Sequence, residues 1–305
     1  MKIRHLVLSG GGPAGLVQYG AAVELKRRGV WRVEDLETVY ACSVGAIIAV
    51  IALLDYDPAW TDDYLIKRPW NEALAADPSR ILGALDDKGV YGTEFVETLL
   101  GPLLEAKGIN KQVTLGEFTE AIGVKLVVVT VDINAEQLAP TLISSSSHPE
   151  LGLIEAVAMS SAYPILMKPV ERDGACYVDG GLIANFPLDL CFENEGCEEE
   201  EVLGFNILSR GDNMMVDPDS GLMSLMRTMV WKVYKYIDTS RRQSHDKYVV
   251  PCTSVGACNM ESWLDPLQSA NARSVLIESG CSQARKWART AGLLKRSGEE
   301  SVEGV

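Results

Sequence analysis

Thr38-Val39-Tyr40-Ala41-Cys42-Ser43-Val44-Gly45-Ala46-Ile47-Ile48 decides how the rest of the chain is read. A short extended segment, Thr38 to Ala41, runs into a small hydroxyl residue between small neighbours, and an apolar helical segment, Gly45 to Leu54, follows at once. That succession is the shape of a nucleophile elbow, a sharp strand-to-helix turn that pushes a serine oxygen into a cleft. Gly45 lets the helix sit close behind Ser43. Ala41 stands where glycine is usual, and its Cβ adds a methyl group to a crowded turn. Cys42 carries a thiol, but it precedes the elbow position and is expected to point away from Ser43. Alone, Ala41 to Gly45 also fits an ordinary turn. Acyl transfer needs two further pieces, donors for an oxyanion and a base.

Upstream, a strand expected from about Ile3 to Ser9 leads into Gly10-Gly11-Gly12-Pro13-Ala14-Gly15 and a helix over Leu16 to Arg28, stopped by Gly29. Backbone N–H groups at the start of a helix favour anions. Gly10, Gly11 and Gly12 have no side chains to block approach to them, which makes these three the candidate oxyanion hole, with Gly15 in support. The same segment satisfies a GxGxxG pattern through Gly10, Gly12 and Gly15, so a dinucleotide site competes. That site wants an acidic residue at the end of the second strand. Here the strand ends in Ser43, and Glu34, Asp35 and Glu37 precede it.

The chain has three histidines, His5, His148 and His245, and none sits in a context that marks a base. Asp179 is the better candidate. It ends the extended run Cys176-Tyr177-Val178 and precedes Gly180 and Gly181, which suit a tight turn.

Further strands are expected at Lys125–Val131 and Val202–Ile207, with helices at Leu153–Ser160 and Arg273–Arg289 and a largely helical stretch from about 58 to 120. Ser144 to Ser147 reads as a polar loop and Glu198 to Glu201 as a solvated turn. Met214 to Tyr236 reads as a core-packing helix in preference to a lipid-contacting lid. Alternating strands and helices imply an α/β fold, a mainly parallel sheet with helices on both faces. The expected division is a catalytic core over 3–190, completing elements over 191–292, and a flexible tail over 293–305.

The 305 residues are 47% hydrophobic, enough for a substantial core. A net charge of −14 argues against nucleic acid as a partner, which would need a basic surface. The seven cysteines are Cys42, Cys176, Cys191, Cys197, Cys252, Cys258 and Cys281; an odd number without a CxxC pair fits a reducing compartment and no zinc site. The start of the chain has no secretory h-region, and no apolar run is long enough to span a bilayer. The expectation is a cytoplasmic protein that touches membranes from the surface.

Together, Ser9-Gly10-Gly11-Gly12-Pro13-Ala14-Gly15, Ser43 and Asp179-Gly180-Gly181 resemble the patatin-like phospholipase family. Ala158-Met159-Ser160-Ser161-Ala162-Tyr163-Pro164 and Asn185-Phe186-Pro187 add to the likeness, which covers residues 3 to about 190. The resemblance implies an architecture related to the α/β-hydrolases and a lipid acyl hydrolase without cofactor or metal. It implies a Ser43–Asp179 dyad with no histidine, and an oxyanion held by the glycine segment. Phospholipids or other acyl-ester lipids would be the substrates, met at a transient membrane surface. The family usually carries Arg or Lys where this chain has Ala14. That leaves a second reading, a weak or inactive lipid-binding scaffold on the same fold.

Overall fold

Every strand of the sheet's centre divides its side chains between two apolar cores. Leu6, Leu8, Val39, Ala41, Leu126, Val128, Leu203 and Phe205 enter the larger core, and Val7, Tyr40, Val127 and Val202 enter a smaller one on the opposite face. Alternate residues point to opposite sides of a strand, so a run apolar at every position must be covered twice. The computed structural model describes residues 2–75, 83–210, 214–241, 246–255 and 265–293. His245, Cys258 and all but the first residue of the expected 293–305 tail lie outside the described residues.

The main sheet contains β1 (His5–Leu8), β2 (Thr38–Cys42), β4 (Lys125–Asp132), β5 (Pro140–Ser144), β7 (Val170–Arg172), β8 (Ala175–Asp179), β9 (Val202–Arg210) and β10 (Val249–Val255). Its order is β10-β9-β1-β2-β4-β8-β7, with β5 also on β4. The five strands from β10 to β4 are parallel; β5, β7 and β8 run antiparallel to their neighbours. A separate two-stranded sheet pairs β3 (Gly89–Tyr91) with β6 (Ile165–Met167).

Strand β4 sets the geometry that matters most. Cys42, the last residue of β2, pairs with Val129, and Asp179, the last residue of β8, pairs with Thr130. Strand β5 occupies the other edge of β4 over Val127 to Val131. Strands β2 and β8 therefore lie on one edge of β4 and meet end to end, which brings Ser43 against Asp179.

Helices α1 (Gly15–Arg27) and α2 (Val44–Leu53) cover the larger core with the Thr93–Ala106, Leu153–Ser160 and Ala270–Thr290 helices. The Leu188–Glu195 helix covers the smaller one. Ser144 closes β5, so only the rest of the expected Ser144–Ser147 loop is a turn. The Met214–Tyr236 expectation needs a larger correction. The helix spans Leu222–Arg241, and one of its faces is open to solvent, with Leu222, Met229 and Tyr236 each more than half exposed. Helical spacing of apolar residues fixes a stripe, but the stripe does not say what covers it.

The first and last helices cross at paired glycines. A Cβ on Gly20 would lie 2.1 Å from the Ile277 carbonyl oxygen, and one on Gly280 would lie 1.9 Å from that of Val17. Helix propensity alone favours Gly280→Ala by about 1 kcal/mol. The close crossing reverses that sign, and Gly280→Ala is expected to lose about 1–3 kcal/mol of stability in urea unfolding. A stabilised variant would show that the helices are not in backbone contact.

Candidate active site

Ser43 sits at the N-cap of α2 with φ 55° and ψ −129°. A residue with a Cβ adopts that backbone only when its surroundings force it, at a cost of about 1–3 kcal/mol. Three contacts do so. Gly45 brings α2 against β1, since a Cβ there would lie 2.6 Å from the carbonyl oxygens of Leu8 and Ser9. The Ser43 N–H donates to Ser160 Oγ at 3.0 Å, and Ser160 Oγ donates in turn to the Val129 carbonyl at 2.6 Å. Gly10 closes over the top, where a Cβ would come within 2.9 Å of Ser43 Cβ. The serine hydroxyl is left pointing at Asp179.

Ser43 Oγ donates to Asp179 Oδ2 at 2.6 Å. The other carboxylate oxygen, Oδ1, accepts from the Gly181 N–H at 2.8 Å and faces the Cys42 thiol at 3.8 Å. Asp179 is 1% exposed. Burial pushes its pKa up to about 6, partly offset by the donors from Ser43, Gly181 and Cys42 and by the nearby Tyr234 hydroxyl. Gly180 packs on β4, where a Cβ would lie 2.2 Å from the Val129 carbonyl oxygen. Gly181 must lack a side chain as well, because a Cβ there would lie 2.6 Å from the Tyr234 ring.

The glycine segment is pinned at both ends. Ser9 donates its N–H to the Phe205 carbonyl, and its Oγ accepts from the Ile207 N–H. Buried Gln18 binds the carbonyls of both Ser9 and Phe205 through Nε2. Gly10 donates its N–H to the Asn185 carbonyl at 3.0 Å. That removes Gly10 from the expected set of three oxyanion donors: its N–H is committed, while among the described residues the N–H groups of Gly11 and Gly12 have no protein acceptor. Gly12 has φ 55°, which suits glycine. Gly15 lies against Val44, whose Cγ2 would be 2.3 Å from a Cβ there.

The structure brings Ser43, Asp179 and Gly10 together and, among the described residues, leaves His5 and His148 elsewhere. His5 begins β1 bonded to Thr38 Oγ1, and His148 contacts Ser147 after β5, both at the sheet edge opposite Ser43. Ala41 raises no steric difficulty, because its methyl is fully buried in the larger core. Ala14 is buried in the same core. Among the described residues no group of His, Cys, Asp and Glu could hold a metal ion.

Two residues to which the sequence alone assigns no role join the site. Ser160 is visible in the sequence only as part of a motif, and its clamp on the elbow depends on β4. Tyr234 is one aromatic residue in a helical run. Its hydroxyl is close enough to Asp179 to favour the charged carboxylate, yet it is buried and, among the described residues, has no partner in hydrogen-bond geometry. Burial and the nearby carboxylate push the phenol pKa well above its ordinary value. The ring packs edge-on against Tyr163.

The family model for patatin-like phospholipase matches residues 6–192, more than half of the chain. The chain belongs to the patatin-like phospholipase family. It is 24% identical over 192 residues to a probable lipid hydrolase of Invertebrate iridescent virus 6, covering 62% of this chain and 63% of that protein. It is also 24% identical over 236 residues to an uncharacterized protein of Acanthamoeba polyphaga mimivirus, covering 77% of this chain and 74% of that one. Among solved structures, VipD from Legionella pneumophila shares the fold, with a TM-score of 0.53 at 16% identity over 95% of this chain and 67% of that chain. The chain thus spans less than two thirds of the first of these viral relatives.

In this patatin-like protein the buried carboxylate has a measurable signature. Its folded pKa lies above the unfolded value, so the native state binds the extra proton between about pH 4 and 6. Stability is then greatest below that window and declines as pH rises through about 6. A rise from the ordinary 3.8 to about 6 corresponds to about 3 kcal/mol at neutral pH. Asn at this position keeps an acceptor for Gly181 and can donate to Ser43 Oγ. Asp179→Asn is therefore expected to be more stable than wild type in urea at pH 8, with the difference vanishing near pH 4. A variant equally destabilised at both pH values would contradict the buried charge.

Proposed function

We propose that this protein is a lipid acyl hydrolase that cleaves glycerophospholipids, lysophospholipids or neutral acyl esters with a Ser43–Asp179 dyad. The observation that carries the reading is the 2.6 Å bond from Ser43 Oγ to a buried carboxylate oxygen at a strained elbow. Membership of a phospholipase family supports the substrate class.

In the first half-reaction Ser43 Oγ attacks the ester carbonyl carbon while its proton passes to Asp179 Oδ2. The oxyanion accepts hydrogen bonds from the N–H groups of Gly11 and Gly12, with the N-terminus of α2 adding favourable potential. The intermediate collapses to an acyl-enzyme, and the departing alcohol takes the proton from Asp179. Water then attacks the acyl group, again giving its proton to Asp179, and the fatty acid leaves as Ser43 recovers its hydrogen. An ordinary carboxylate is a poor base for a serine hydroxyl. Burial raises the basicity of Asp179, while a pKa of about 6 still leaves it mostly ionised at neutral pH. The reaction calls for no metal or cofactor.

The second reading, an inactive lipid-binding scaffold, rests on Ala14, where the family usually carries a cation. Fatty-acid release from a lipid extract separates the two. Wild type is expected to release fatty acid, and Ser43→Ala and Asp179→Asn should each lower the rate by at least about a thousandfold. The rate should rise with pH through a midpoint near 6, since Asp179 must be ionised to act as base. Tyr234→Phe removes a group that favours the charged carboxylate, so it should move that midpoint upward. Wild type that is silent across phospholipids, lysophospholipids and neutral esters would leave the scaffold reading.

A further inference from the structure

The Leu222–Arg241 helix presents Leu222, Leu225, Met226, Met229, Val233 and Tyr236 to solvent, each between 41% and 74% exposed. At helical spacing these six fall in one stripe about 100° wide. A contiguous apolar stripe of this kind marks an interaction surface. The helix has too many polar residues to cross a bilayer, and among the described residues no helix is long and apolar enough to do so.

Two further observations say what covers the stripe. The first is position. Tyr234, on the opposite face of the same helix, lies beside Asp179, and the helix follows β9 at the carboxyl edge of the parallel strands, where Ser43 sits. Exposed Ile133 and Leu138, in the hairpin after β4, lie at that edge too. The second is charge. The chain carries a net charge of −14, yet on this helix Lys232 and Lys235 are exposed beside the apolar residues. Apolar side chains with basic neighbours, at low overall hydropathy, are the composition of a helix that lies in the plane of an anionic lipid interface.

The inward face is incompletely satisfied. Among the described residues, Arg227 Nε and Trp231 Nε1 are buried without a hydrogen-bond partner. Unpaired buried donors weaken the seat of a helix, which suits an element whose best environment includes something beyond this chain.

We propose that the Leu222–Arg241 helix seats this protein on a lipid surface with anionic headgroups, its apolar stripe at the boundary between headgroups and acyl chains and the Ser43 site facing the lipid. The proposal rests on the lipid hydrolase reading for its purpose, but its geometry can be tested separately. In a Ser43→Ala background, where no lipid is consumed, the protein is floated with vesicles of phosphatidylcholine and phosphatidylserine. The parent is expected to float, less so as salt is raised. Adding Leu225→Glu and Met229→Glu should weaken binding by about a hundredfold or more, since two apolar side chains leave the interface. Leu225→Gln with Met229→Gln should give an intermediate loss, and this pair decides the matter if the glutamates disturb the fold by circular dichroism. With Ser43 restored, the glutamate pair should slow hydrolysis on vesicles while leaving turnover of a monomeric short-chain ester unchanged.

A parent that does not float, or a glutamate pair that floats as well as its parent, would overturn the proposal. So would light scattering showing a dimer that the glutamate pair dissolves, because the stripe would then belong to a second copy of the chain. A protein that floats through this helix but releases no fatty acid would sink the hydrolase reading and leave the lipid surface standing.

Discussion

Ser43 is held in a backbone conformation that costs about 1–3 kcal/mol, and much of the surrounding structure keeps it there. Strand β2 is buried throughout, so the residue before the turn cannot move. Helix α2 starts at once and is pressed onto β1 at Gly45. Ser160 receives the Ser43 N–H, and it is itself tied to β4 through Val129. A backbone bent this way aims the serine oxygen out of the end of the sheet. In a regular strand or helix the same side chain would lie against a neighbour.

The aspartate answers the serine because of the sheet. Strands β2 and β8 share one edge of β4, and their ends meet at consecutive residues of that strand. Asp179 is thereby enclosed by Ser43, Gly181, Cys42 and Tyr234, in a space too dry to suit a charge. The resulting rise in pKa is a cost to stability and a gain in basicity, two effects of the same desolvation. The helix that supplies Tyr234 carries its apolar stripe on the opposite face, so one element borders both the Ser43–Asp179 pair and the solvent.

The legible parts of this structure are those whose physics is local. β-branched and apolar runs mark β1, β2, β4 and β9, and small residues mark the turns at Gly10 and Ser43. The Asp-Gly-Gly turn can be read because neither glycine has room for a side chain, Gly180 lying against the β4 backbone and Gly181 against the Tyr234 ring. What cannot be read depends on pairing across the chain. The commitment of the Gly10 N–H to Asn185 is set by a loop 175 residues away. The antiparallel course of β5 and β8 decides that the serine and aspartate meet, and no feature within either strand encodes it. The Met214–Tyr236 segment shows the same limit: its amphipathic spacing is clear, but which face meets the protein is a matter of tertiary packing.

The central claim is that the bond to Asp179 makes Ser43 the nucleophile. Labelling with a fluorophosphonate, followed by peptide mapping with tandem mass spectrometry, addresses it without any assumption about the natural lipid. The adduct should be found on Ser43, should be absent from Ser43→Ala, and should form much more slowly in Asp179→Asn. A wild-type protein that takes no label, or a label that persists in Ser43→Ala on Cys42 or another residue, would contradict it.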